Sequence, residues 1–181
     1  MNSSSPYQHS NSVVQIFKGN GMYAGTGFLI DNEGGILTTM YIVGKDKDFN
    51  VTLTGSQSYN ATLEKIDGIT ELALLRMVGF QQSYLNIVNI DELSEHQKVT
   101  IIGCSGNTMS MLEGTAAGTY SSDSLSPKKI SIRVNVPPRG LSGSPAINEH
   151  GDVIGVLIGY IPQTHNALLV SGKSAFDFLH K

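Results

Sequence analysis

Gly140-Leu141-Ser142-Gly143-Ser144-Pro145-Ala146-Ile147-Asn148 is the stretch on which the reading of this chain turns. A serine set among glycines sits on backbone that can turn tightly, which exposes its hydroxyl. Such backbone also aims successive N–H groups at one point, the geometry that stabilises a developing oxyanion. Glu149-His150-Gly151-Asp152 then places a glycine where a hairpin turn needs positive φ, and Val153-Ile154-Gly155-Val156 resumes an apolar run. The segment reads as a serine loop feeding a β-hairpin.

The same grammar extends in both directions. Asn32-Glu33-Gly34-Gly35 is a second turn of this kind. Apolar or alternating runs predict strands over 13–18, 23–31, 35–39, 50–54, 61–66 and 72–77. A second set covers 98–102, 111–121, 129–134, 144–147, 153–160 and 167–171. Many short strands in two sets predict an all-β barrel or sandwich. The Ser-, Pro- and Asn-rich residues 1–12 are expected to form a disordered tail, and the more polar 79–96 a linker between units 13–78 and 97–181. Ser171 can cap one C-terminal helix, with Ala175, Phe176, Phe178 and Leu179 giving it a partial apolar face.

Composition narrows the function classes. The 181 residues carry 12 Lys+Arg against 15 Asp+Glu, a formal net charge of -3, and no basic run, which argues against nucleic acid as a partner. No apolar run approaches the roughly 18 residues of a membrane span, and the polar opening shows no signal-peptide core. A lone Cys104 excludes an internal disulfide framework, so a cytoplasmic location is expected. His9, His96, His150, His165 and His180 show no metal-ligand spacing, so neither metal nor cofactor is expected. Two glycosylation sequons, at Asn50 and Asn60, are set aside because no signal peptide accompanies them.

The serine loop resembles the nucleophile segment G-[DN]-S-G-G-P of trypsin-like serine proteases, most closely their HtrA/Deg branch. Ala24-Gly25-Thr26-Gly27-Phe28-Leu29-Ile30 is similar to that branch's G-[ST]-G-F-[IV]-[IV] strand, and Gly35-Ile36-Leu37-Thr38-Thr39-Met40-Tyr41-Ile42-Val43 to its I-L-T-N-A-H-V-V. Asp67-Gly68-Ile69-Thr70-Glu71-Leu72-Ala73-Leu74-Leu75-Arg76 is similar to D-x-x-[ST]-D-L-A-L-L-[KR]. Val99-Thr100-Ile101-Ile102-Gly103 and Glu113-Gly114 match later strands more loosely, so the resemblance runs over about residues 13–180. It implies two six-stranded antiparallel barrels, a chymotrypsin/trypsin-like fold, with a cleft between them. It also implies Ser142 as nucleophile, an oxyanion hole from the N–H groups of Gly140 and Ser142, and an extended peptide pairing along Val156, Leu157, Ile158 and Gly159.

The departures from that pattern carry the functional expectation. Tyr41 stands at the position of the general-base histidine and Glu71 at that of the orienting aspartate. Imidazole serves as base because its pKa lies near neutrality, whereas a phenol titrates near 10 and is a donor at pH 7. Leu141 and Ser144 replace an Asp or Asn and a glycine, small changes that leave a loop conformation possible. The expected function is a catalytically impaired, pseudoprotease-like module that binds or regulates a protein or peptide partner, its oligomeric state left open. The alternatives are an active serine endopeptidase with an atypical triad around Ser142, and a structural module of a larger assembly.

Overall fold

Short apolar runs separated by glycine-bearing turns close into two barrels in the computed structural model, which describes residues 6–53, 57–122 and 126–181. The first contains β1 (Val13–Lys18), β2 (Tyr23–Leu29), β3 (Gly35–Thr39), β4 (Asp48–Leu53), β5 (Ser58–Asp67) and β6 (Leu72–Met77). Its strands close in the order β1-β2-β3-β6-β5-β4. The second contains β7 (Lys98–Ser105), β8 (Thr108–Tyr120), β9 (Lys129–Val134), β10 (Pro145–Ile147), β11 (Val153–Ile161) and β12 (Asn166–Ser171). It closes as β10-β11-β12-β9-β8-β7, and every strand pair in both barrels is antiparallel. The twelve strands are those the sequence predicts.

Their ends differ in instructive ways. β7 runs on through Gly103-Cys104-Ser105 and meets β8 across a two-residue turn at Gly106-Asn107. Gly103 reads as a strand end, yet it pairs with Ser110 inside β7, and a Cβ there would lie 1.9 Å from Ser144 Oγ. A neighbour's approach, not a turn, demands that glycine. Likewise β4 begins at Asp48, since Phe49 points into the barrel and is buried.

Three apolar clusters hold the molecule. Ile16, Leu29, Ile36, Val51 and Leu75 fill the first barrel, and Ile101, Ile130, Ile132, Ile154 and Leu169 the second. A third joins them: Val13, Phe28, Leu37 and Leu72 of the first barrel pack with Ile102, Ile147, Val156 and Phe178 of the second half. The connecting segment takes part. Leu85 N–H bonds to Leu29 O (2.9 Å), Val153 N–H to Asn86 O (2.8 Å) and Val88 N–H to Val153 O (3.0 Å), so it is stitched to both barrels.

Among the described residues, three helices complete the fold. Residues 1–5 lie outside the described residues; of the remainder of the expected tail, Pro6–His9 forms α1 and Ser10–Ser12 a 3-10 turn. Ser12 is buried and its hydroxyl donates to Ser83 O (2.9 Å). Met40–Val43 forms α2, which the strand-like pattern around it conceals. Gly172–His180 forms α3, where Ser171 Oγ accepts from Ser174 N–H (3.2 Å) as the N-cap. At its other end Lys65 Nζ of β5 donates to Phe178 O and stands 4.9 Å above the Phe178 ring centroid, tying the last helix to the first barrel.

Candidate active site

The serine loop leaves the second barrel and docks on the first. Thr26 N–H bonds to Ser142 O (3.0 Å), and a Cβ on Gly143 would meet Thr26 O at 2.0 Å and Thr38 Oγ1 at 2.6 Å. Gly143 has φ +83°, so both its conformation and the closeness of the other barrel exclude a side chain. Leu141 is buried in the second barrel's core and anchors the loop from the other side. Ser142 is left exposed between these two anchors.

The loop's amides divide into used and unused. Leu141 N–H bonds to Pro138 O (3.3 Å), Gly143 N–H to Leu157 O (2.9 Å) and Ser144 N–H to Leu141 O (3.0 Å). The N–H groups of Gly140 and Ser142 donate to no acceptor among the described residues. They are the two donors the sequence points to for an oxyanion. Their freedom keeps them available to a developing negative charge.

Tyr41 lies on α2, whose Ile42 and Val43 are buried while Tyr41 itself is 63% exposed. Its hydroxyl donates to Glu71 Oε1 at 3.5 Å, the outer limit of hydrogen bonding, and makes no bond to Ser142. The Glu71 charge, with some burial, pushes the phenol above its usual value near 10, so the proton is held more firmly still. Glu71 precedes β6 with φ +64°, a left-handed conformation that costs a non-glycine residue about 1 kcal/mol or more. Met40 N–H bonds to Glu71 O (2.9 Å), which holds the strained residue against α2.

Sequence reasoning missed the next member of the site. Lys129 Nζ of β9 lies 3.0 Å from Glu71 Oε2, so the carboxylate bridges Tyr41 of one barrel and Lys129 of the other. Nothing in a sequence window signals a pair made by closing two barrels together. Beside it is a cavity of about 540 Å³ whose apolar lining includes Ile69, Ile158 and Leu168.

The residues assigned to peptide binding separate into two kinds. Val156 and Leu157 are buried; Val156 pairs with Pro145, and Leu157 uses its N–H with Ser144 O (2.9 Å) and its C=O with Gly143 N–H. They support the serine loop instead of offering an edge. Ile158 and Gly159 are half-buried, and over 158–161 β11 pairs only with β12 among the described strands, leaving its other edge open. His165 lies at the hairpin tip with Nδ1 3.2 Å from Tyr160 Oη, and Arg139 is exposed beside the serine loop. No group of three or more His, Cys, Asp or Glu among the described residues comes together as a metal site.

Two closed antiparallel barrels, with an exposed serine on a loop wedged between them, define a chymotrypsin-like architecture. This chain belongs to the trypsin-like peptidase domain family, whose model it matches over residues 25–156. It is 29% identical over 158 residues to a probable periplasmic serine endoprotease DegP-like of Chlamydia pneumoniae, covering 84% of this chain and 30% of that protein. The chain thus spans about a third of the length of the curated relatives it matches. Among solved structures, the active form of the Rv3671c protease from M. tuberculosis superposes with TM-score 0.84 at 19% identity, over 97% of this chain and 82% of that one. The HtrA-type protease AlgW with a decapeptide gives 0.84 at 15% identity, over 99% and 67%. These two likenesses speak for the fold alone.

Proposed function

We propose that this domain is a catalytically impaired HtrA/Deg-like pseudoprotease that binds an extended segment of a partner protein. One observation carries the reading: the base position holds Tyr41, whose hydroxyl donates to Glu71 and keeps its proton through the neutral range. A serine hydroxyl attacks a carbonyl only when a neighbour takes its proton, and a phenol beside a carboxylate is the wrong acid–base partner. Binding needs none of this. The open edge of β11 over 158–161 offers main-chain groups to an added strand, which supports an extended peptide as the ligand class.

A fluorophosphonate probe, which reacts with activated serines, tests the reading. Removing a triad member typically lowers turnover about 10⁴- to 10⁶-fold, so we expect Ser142 to remain unlabelled over hours. Stoichiometric labelling within minutes overturns the proposal. The exposed Ser142 and the free amides of Gly140 and Ser142 favour a second reading, an active endopeptidase with an atypical triad. That reading requires peptidase activity which Ser142→Ala abolishes. An equal background in both proteins removes it.

A further inference from the structure

Glu71 places its second carboxylate oxygen against a cation from the other barrel. The Lys129 side chain keeps 11% of its accessible surface and that of Glu71 25%. Glu71 Oε2 is buried and accepts no well-directed hydrogen bond, so the ammonium 3.0 Å away is the charge that compensates it. Ile69, Ile158 and Leu168 line the same cavity as the pair, where Glu71, Tyr120 and Lys129 are the titratable groups among the described lining residues. Limited exposure leaves the lysine's charge less screened than one on the open surface.

We propose that Lys129 is a positioning residue that weakens the triad site by offsetting the charge of Glu71. The proposal rests on the pseudoprotease reading and deepens it. An orienting carboxylate assists by stabilising the imidazolium that forms as the base takes the serine proton. A cation beside that carboxylate offsets part of the negative charge felt at position 41. Restoring the base alone would therefore set an imidazole next to a carboxylate whose charge is partly offset, with less support for its basicity and its cationic form.

The test compares Tyr41→His with Tyr41→His/Lys129→Gln and Tyr41→His/Lys129→Arg in the full chain. NMR titration of the introduced imidazole is the primary readout because it needs no turnover. We expect its inflection to lie about one pH unit higher with Gln at 129, a tenfold gain in proton affinity, and to stay put with Arg. Fluorophosphonate labelling of Ser142 above both inflections should be about tenfold faster in the Gln double variant than in Tyr41→His. Inflections that agree within a few tenths of a unit, with or without the lysine, overturn the proposal. If circular dichroism shows the Gln double variant unfolded, Lys129→Met in the same background carries the comparison. Rapid labelling of the unmodified chain would defeat the pseudoprotease reading separately, since the imidazole titration does not depend on it.

Discussion

Gly143 shows how much one position can decide. Its φ of +83° disfavours any side chain, and the 2.0 Å between a would-be Cβ and Thr26 O means that even a methyl group must push the barrels apart. For Gly143→Ala we expect about 2–3 kcal/mol of destabilisation, combining backbone strain with overpacking, read as a lower denaturant midpoint. A loss under about 0.5 kcal/mol would mean that the loop docks less tightly than its contacts imply. Single residues also mark the limit of what a sequence discloses. Ser142, Tyr41 and Glu71 were legible because each sits inside a local pattern with a fixed neighbourhood. Lys129 was not, because its meaning arises only when β9 is brought against the turn before β6. The same holds for Val156 and Leu157: an apolar strand in the right place looks like a binding edge until its hydrogen bonds to the serine loop are drawn.

The turn between β2 and β3 is held by one side chain. Asp31 Oδ1 accepts from Glu33 N–H (2.9 Å) and Gly35 N–H (2.8 Å), while Oδ2 accepts from Arg76 Nη1 (2.9 Å) on β6. Burial works against the charged carboxylate. The Gly35 amide, Arg76 and the Glu33 amide outweigh it and hold the carboxyl below its ordinary value. A group whose pKa is lower folded than unfolded stabilises fully above the unfolded value, near 4, and loses that contribution as pH falls through the folded one. We expect the unfolding midpoint of the unmodified chain to drop more steeply below pH 4 than that of Asp31→Asn. Parallel profiles would show the carboxylate to be idle. Strands such as β3 and β6 were legible from alternation and from glycine turns, whose causes are local. The helix α2 was hidden, since Met40-Tyr41-Ile42-Val43 has a strand-like composition and only the packing of Ile42 and Val43 turns it helical.

Taken as a whole, the molecule is two barrels that cannot be separated cheaply. The shared cluster from Val13 to Phe178, the Glu71–Lys129 pair, the Lys65 clamp on α3 and the stitched connecting segment all cross the same seam. The seam places the Ser142 loop, whose anchors come from both barrels. Cys104 lies in that seam, 2% exposed, with its carbonyl accepting from Tyr23 and Thr26 hydroxyls of the opposite barrel and its thiol pushed by burial up to about 11. A protonated, enclosed sulfur is a poor nucleophile, so an alkylating reagent reaches it only in molecules whose halves have parted. We expect modification to be slow in buffer and to accelerate in step with global unfolding as urea is added; rapid modification under native conditions would mean that the seam breathes. The lone thiol thereby becomes a natural clock, counting how often this two-part body opens without any label having to be installed.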